Sequence, residues 1–152
     1  MEQGGHEPPD HRDPGRGEIR PRAGDPDLTA LGHSYGSLTT GLALQQATGV
    51  DAAVIFGSPG IGTSDAGDLK VPSDMLSNSK ADGDWAAKSG LFGGNPDRNP
   101  DITQLETGAA TNTYGESLSG SDGHSEYQVN GSTSQWNNAA AIAGHPEDRI
   151  KR

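Results

Sequence analysis

The chain has 152 residues, of which 30% are hydrophobic and 5% aromatic, so it can build one modest domain around one small core. Its formal net charge of −10 argues against partners that are bound through phosphates, such as nucleic acid or an anionic membrane surface. The chain contains no cysteine, which excludes disulfides, thiolate metal sites and a cysteine nucleophile.

Residues 1–24 are predicted to form a disordered leader. The segment is rich in Pro, Gly, Asp and Arg and has almost no large apolar side chain, so it cannot offset the entropy of ordering. It lacks the basic and then apolar pattern of a secretory signal, and the longest apolar run of the chain is too short to span a bilayer. By default we expect a soluble, cytoplasmic protein.

The first predicted strand and the first predicted helix flank a glycine-rich turn. The apolar residues at 28–31 suit a short buried strand, and the turn GHSYG follows at 32–36. Leu38 and Leu42 then recur at helical spacing, and Gly49 is placed to follow the end of that helix at C′. The serine of the turn therefore lies between a strand and a helix.

Three further segments read as strands. AAVIFG at 52–57 is continuously apolar, which predicts a strand buried on both faces. Residues 69–79 could hold another strand, although Pro72 leaves its start open. ITQLETG at 102–108 alternates in the manner of an edge strand. The segments between and after these strands, 81–101 and 109–131, read as irregular structure and loop.

The last predicted helix spans 132–144. Ser132 is a typical N-cap, Gln135 follows it at capping-box spacing, and Gly144 ends the helix before a proline. This order of elements predicts an α/β fold with a mostly parallel sheet flanked by helices. The sheet looks short of strands, because nothing before 28 can supply its opening half. We expect one domain over 25–146 and a tail at 147–152.

The turn GHSYG fits the pattern G-x-S-x-G of a nucleophile elbow. Such an elbow needs a strand, a sharp turn with little room on either side of the serine, and a helix whose first N–H groups help to hold an oxyanion. The pattern alone is common in a chain so rich in glycine and serine, so its context carries the argument. The alternative is a glycine-rich turn with a purely structural role.

A serine nucleophile needs a histidine base, which is expected downstream of it. Only His124 and His145 follow Ser34 in the chain. His124 lies in a loop after the last predicted strand, where a base is expected, although an exposed loop residue is the plain alternative. His145 comes directly after the last helix and is more typical of a helix end.

The acid that would orient this base has several candidates. Asp82 and Asp84 lie in the loop KADGDWA after a predicted strand, and Asp65 and Asp68 follow the AAVIFG strand. Each of them alone is as well explained as a solvated turn residue.

Two weaker patterns, GSPGIG for a nucleotide and NPDRNPD for calcium, depart from the required spacings. We therefore expect no cofactor and no metal.

Five blocks of the chain together resemble a known family, and they cover residues from about 24 to 145. Taken in order, they resemble the blocks of a bacterial α/β-hydrolase-like family known only as a domain of unknown function, family ten twenty-three. The blocks are LGHSYGSLTTGLALQ, VDAAVIFGSPGIG, ADGDWA, GHSEY and GSTSQWNNAAAIAG. Each block is weak alone, and their combination in this order is specific.

The resemblance implies roles for individual residues. Ser34 would be the nucleophile, His124 the base and Asp84 the acid, because Asp84 matches the aspartate of a G-D-P block in that family. The backbone N–H of Tyr35 would supply one oxyanion donor. Trp85 stands where the family usually has proline, so we expect an acid loop of a different shape.

The implied activity is that of a serine hydrolase acting on an ester or amide bond, with a small or lipid-like ester as the substrate. The family domain begins well before this turn, and its earlier strands have no match in residues 1–23. The chain therefore resembles the C-terminal part of that domain. The alternative is a catalytically impaired or inactive truncated fragment.

Overall fold

A four-stranded parallel sheet with helices on both faces forms the centre of the fold. The computed structural model describes residues 26–152, so the predicted leader at 1–24 lies outside the described residues. The strands lie in the order β1-β2-β3-β4. Their bounds are β1 Thr29–His33, β2 Ala52–Phe56, β3 Leu76–Ser79 and β4 Thr103–Leu105. The two α-helices are α1 Tyr35–Leu44 and α2 Thr133–Ile142. The predicted α/β fold is confirmed.

The core has two halves, one on each face of the sheet. All five residues of β2 are buried, as a continuous apolar run predicts for a strand covered on both faces. Ile55 packs in a cluster with Leu44 of α1, whereas its neighbours on the other face of β2, Val54 and Phe56, pack with Ala141 of α2. Because successive strand residues point to opposite faces, the two helices cover opposite faces.

The sequence predicts both ends of α2 correctly but places the end of α1 too late. At the start of α2, the Ser132 hydroxyl accepts from the N–H of Gln135 at 3.1 Å, which confirms the N-cap. Gly144 has φ 70 just after that helix, as expected. Helix α1 instead ends at Leu44, and Gly49 is not its C′ residue. A tightened bond from the N–H of Gln46 to the carbonyl of Ala43 ends that helix early.

Two segments carry structure that the sequence describes poorly. The strand expected over 69–79 is confined to Leu76–Ser79, because Ser73–Met75 forms a 3-10 turn after the proline. The expected loop at 109–131 contains an antiparallel pair, β5 Ala110–Thr111 and β6 Ser117–Leu118. Strands of two residues are too short to show alternation, which is why the pattern misses them.

The outer side of β4 is paired with the end of the chain. We expected residues 147–152 to be a tail, but the N–H of Arg152 bonds to the carbonyl of Gln104 at 3.0 Å. The N–H of Glu106 bonds in turn to the carbonyl of Ile150 at 2.8 Å. At the opposite end of the sheet, β1 pairs only with β2 among the described residues. Within residues 26–152, no helix combines the length and the apolar character needed to cross a membrane.

Candidate active site

Ser34 lies on a strained turn that joins β1 to α1. Its backbone has φ 54 and ψ −128, and it is the only non-glycine residue with positive φ in the described part of the chain. Such a conformation costs on the order of 1–3 kcal/mol, so the surroundings must hold it. The N–H of Ser34 donates to the carbonyl of Phe56 at 3.0 Å, and its own carbonyl accepts from the hydroxyl of Ser37 at 2.6 Å. The turn is thus anchored on both sides.

The two glycines of the turn have different reasons to be there. A Cβ added at Gly32 would lie 2.8 Å from the Thr40 hydroxyl oxygen and 2.9 Å from the Cα of Ser37, which is too close for either. A Cβ added at Gly36 would have no atom within 4 Å. The expectation that both neighbours of the serine are crowded is therefore right for Gly32 and wrong for Gly36.

The structure brings Ser34, His124 and Asp84 together in one hydrogen-bonded line. The His124 Nε2 lies 2.7 Å from the Ser34 Oγ. The His124 Nδ1 lies 2.9 Å from the Asp84 Oδ1. The serine is half-buried at the surface, and the aspartate is fully buried behind the imidazole. This arrangement gives the hydroxyl a proton acceptor whose other nitrogen is fixed by a carboxylate.

The carboxylate of Asp84 is surrounded by donors. Its Oδ1 also accepts from the N–H of Ala87 at 3.1 Å, and its Oδ2 accepts from the phenol of Tyr127 at 2.5 Å. Burial acts to raise the pKa of Asp84, but the hydrogen bonds from Tyr127, Ala87 and His124 outweigh it and hold the pKa below its ordinary value. Asp84 is thus kept ionised and can support a positively charged imidazole.

The other acidic candidates do not contact His124. Asp82 is exposed, and its carbonyl accepts from the N–H of Gly123 at 2.7 Å. Asp65 caps a 3-10 turn, and Asp68 accepts from the hydroxyl of Thr63 at 2.6 Å. The loop that carries Asp84 turns back through the short 3-10 helix Ala86–Lys88, and this aims the carboxylate inward.

The backbone of the acid loop at Trp85 adopts a φ angle close to that of proline. Its φ is −72, close to the angle of about −65 that a proline ring imposes. The backbone at Trp85 therefore has a φ that a proline could adopt, despite the departure from the family pattern. The indole itself is 75% exposed, with its ring centroid 5.9 Å from that of His124.

The N–H of Tyr35 is the first of α1, so no carbonyl of the helix is available to it. It directly follows Ser34, at the start of the helix. The Tyr35 side chain is 62% exposed and meets Phe92 edge to face, with the ring centroids 5.5 Å apart. The Tyr35 and Phe92 rings thus form an aromatic pair that begins at the residue after Ser34.

Two residues around His124 were missed by the sequence analysis. Tyr127 lies three positions after His124 and contacts Asp84, and His33 directly precedes Ser34. The His33 Nε2 lies 2.8 Å from the carbonyl oxygen of His124, and the two imidazole centroids are 4.9 Å apart. Tyr127 ends the block GHSEY and His33 lies in the turn GHSYG, so their place beside His124 and Ser34 in these two motifs was the signal that could have found them.

The segment GSPGIG is hydrogen-bonded to the start of α1. The Ser58 and Ser37 hydroxyl oxygens lie 2.6 Å apart, and the Ser58 oxygen also accepts from the N–H of Gly60 at 3.1 Å. Among the described residues, metal-type ligands gather only at His145, Glu147 and Asp148. In that cluster the His145 Nδ1 already pairs with the Glu147 carboxylate at 3.0 Å, and both side chains are exposed.

The chain matches a known family and several relatives. A family described as alpha/beta hydrolase matches residues 17–92, which is half of the chain. An uncharacterized protein of Mycobacterium bovis and two of Mycobacterium tuberculosis are each 41% identical over 85 residues. That stretch covers 53% of this chain and 32% of each relative, so it spans about a third of the length of the curated relatives. No solved structure matches the chain. On the family match, this chain is a member of the alpha/beta hydrolase family.

Proposed function

We propose that this protein is a serine hydrolase that cleaves an ester or amide bond through Ser34, His124 and Asp84. The observation that carries the proposal is the hydrogen-bonded line from the Ser34 hydroxyl through both nitrogens of His124 to a buried carboxylate. Membership of the alpha/beta hydrolase family supports a hydrolytic activity. In the proposal, the strained turn at Ser34 is the nucleophile elbow.

The proposed reaction has two halves. The Ser34 oxygen attacks the carbonyl carbon while His124 Nε2 takes the hydroxyl proton, and Asp84 stabilises the imidazolium. The Tyr35 N–H donates to the oxyanion that develops on the carbonyl oxygen. The tetrahedral intermediate collapses, and His124 returns the proton to the leaving alcohol or amine. A water molecule then attacks the acyl-enzyme with His124 as base, which releases the acid and restores Ser34.

We propose a small or lipid-like ester as the substrate. The Trp85 indole beside His124 and the Tyr35 ring beside Ser34 are large, exposed and apolar, and Leu91 next to Phe92 is exposed as well. Burying such side chains against an acyl chain is favourable, at about 25 cal/mol for each Å² removed from water. The five blocks that resemble family ten twenty-three support the same reading.

A second candidate is a hydrolase-like domain that turns substrate over poorly. It is favoured by the open edge of β1, which has no partner beyond β2 among the described residues. The turn of Ser34 continues directly from this strand, so a loose β1 would loosen the serine as well. An unpaired strand edge also invites association with other chains.

The experiment compares the purified protein with Ser34→Ala and Ser64→Ala variants. Ser64 is an exposed serine in a loop and serves as the matched control. Each protein is incubated with a fluorophosphonate probe and assayed with p-nitrophenyl esters of two to twelve carbons. We expect the wild type and Ser64→Ala to be labelled, and Ser34→Ala to lose labelling and at least about 10³-fold of its hydrolysis.

Hydrolysis that survives in Ser34→Ala would overturn the proposal. A folded wild type with a cooperative unfolding transition but neither labelling nor turnover would favour the second candidate. A rate that rises with acyl length would support a lipid-like substrate, and a rate that falls steeply beyond two carbons would support a small one.

A further inference from the structure

Tyr127 is a buried polar side chain that the proposed reaction does not use. It is only 1% exposed, and a buried phenol needs hydrogen-bond partners for its hydroxyl. Its oxygen has two partners, because it donates to the Asp84 Oδ2 at 2.5 Å and accepts from the N–H of Ala81 at 2.9 Å. The same loop therefore supplies His124 to one carboxylate oxygen of Asp84 and Tyr127 to the other.

The Tyr127 ring packs against two other aromatic rings. Its ring centroid lies 5.4 Å from that of Phe56 and 5.7 Å from that of His33. At Gly57, which has φ 59, an added Cβ would lie 3.0 Å from both the Tyr127 ring and the Asp84 Oδ2. A glycine at this position is what allows the ring and the carboxylate to approach the end of β2.

We propose that Tyr127 is a positioning residue, whose phenol fixes the Asp84 carboxylate in the plane that orients His124 toward Ser34. The inference rests on the proposed function. Three donors meet the carboxylate, and those of Ala87 and His124 both use Oδ1. Among residues 26–152, only Tyr127 bonds to Oδ2, so its hydroxyl restrains the carboxylate from turning about its own bond.

The same hydrogen bond tunes the charge that His124 faces. A donor on Oδ2 draws negative charge away from Oδ1, and it stabilises the carboxylate most while the imidazole is neutral. Removing the donor should therefore favour the imidazolium and raise the pKa of His124. In the described part of the chain, the titratable groups that face His124 are Asp84 from the acid loop and His33 from the end of β1. Tyr127, on the same loop as His124, acts on it through Asp84.

The loop that carries His124 has further anchors, so the loss of one hydroxyl is a local change. The carbonyl of His124 is held by His33, and the N–H of Gly123 bonds to the carbonyl of Asp82 at 2.7 Å. These contacts stay in place in a Tyr127→Phe variant, which keeps the ring and its packing. The matched control is Tyr114→Phe, because the Tyr114 side chain is 74% exposed.

The test measures the pKa of His124 by NMR in histidine-labelled wild type, Tyr127→Phe and Tyr114→Phe. We expect an upward shift of about 0.5 to 1 pH unit in Tyr127→Phe alone. The acid limb of kcat/KM should move in the same direction. The plateau value of kcat/KM in Tyr127→Phe should fall by roughly tenfold, which is a fraction of the 10²–10⁴-fold that general base catalysis contributes. An unchanged pKa of His124 in folded Tyr127→Phe would overturn the inference.

A second variant tests the inference with the opposite sign. Trifluorotyrosine at position 127 keeps the ring and the hydroxyl and makes the phenol a stronger donor, so the pKa of His124 should fall. This variant decides the matter if Tyr127→Phe does not fold, and an unchanged or raised pKa would count against the inference. The NMR readout needs no turnover, so a wild type that fails to label at Ser34 defeats the proposed function while Tyr127 is still tested.

Discussion

Alanine at Gly32 and alanine at Gly36 are predicted to have opposite effects on stability. Both glycines belong to the same five-residue turn, and sequence alone treats them alike. In the structure, a methyl group at 32 would meet the Thr40 hydroxyl oxygen at 2.8 Å and the Ser37 Cα at 2.9 Å, whereas a methyl group at 36 meets nothing within 4 Å. The comparison therefore isolates crowding from backbone conformation.

The expected magnitudes follow from these contacts. The Thr40 hydroxyl can rotate away, but the Cα of Ser37 cannot, because Ser37 is buried and bonded to both Ser34 and Ser58. Overpacking of this kind costs about 1–3 kcal/mol. Gly36 lies in the first turn of α1 without a positive φ, so alanine there should gain about 0.5–1 kcal/mol. The two variants should differ by roughly 1.5–4 kcal/mol in the free energy of unfolding.

Urea unfolding followed by far-UV circular dichroism and by tryptophan fluorescence measures this difference. With a common slope, the midpoint of Gly32→Ala should fall below that of the wild type and the midpoint of Gly36→Ala should rise above it. Gly32→Ala should also lose reactivity toward the fluorophosphonate probe, because the shift displaces the turn of Ser34. Equal midpoints for the two variants, or a more stable Gly32→Ala, would refute the assigned packing of the turn.

Two further predictions concern stability. Ser132→Ala removes the hydroxyl that caps α2 and should lower the free energy of unfolding in urea by about 1 kcal/mol. The exposed control Ser64→Ala should lower it little, and equal losses in the two variants would contradict the capping role. Acid should destabilise the fold through Asp84 and Asp97. Burial acts to raise the pKa of Asp97, but Arg152 and Lys80 outweigh it and leave that pKa lowered, as it is for Asp84. A carboxylate with a lowered pKa in the folded state stabilises the fold above its unfolded pKa of about 3.9 and loses this as pH falls through the folded value. Unfolding midpoints measured from pH 6 to pH 2 should therefore be flat above about pH 5 and fall below about pH 4, less steeply in Asp97→Asn, and a flat profile down to pH 2 would contradict the assignment.

Local signals determined the elements that carry the site. The apolar run at 52–57 predicted the buried β2, the turn at 32–36 was placed between a strand and a helix, and Ser132 predicted the start of α2. Each of these depends on residues within a few positions of one another, where periodicity and capping act. The end of α1 was misjudged for the same reason, because one bond in its last turn, and not the nearest glycine, decides it.

Tertiary structure decided which side chains meet. Ser34 and His124 are 90 positions apart and Asp84 and His124 are 40 apart, so spacing could not separate Asp84 from Asp82 without the family resemblance. The fold separates them by turning one carboxylate inward, fully buried, and leaving the other in solvent. The role of Tyr127, the free space beside Gly36 and the pairing of the chain end with β4 likewise depend on contacts between distant segments. The sequence by itself determined the strands, the helices and the turn that carry the site. Burial and hydrogen bonding between distant segments of the chain determined which of their side chains face one another.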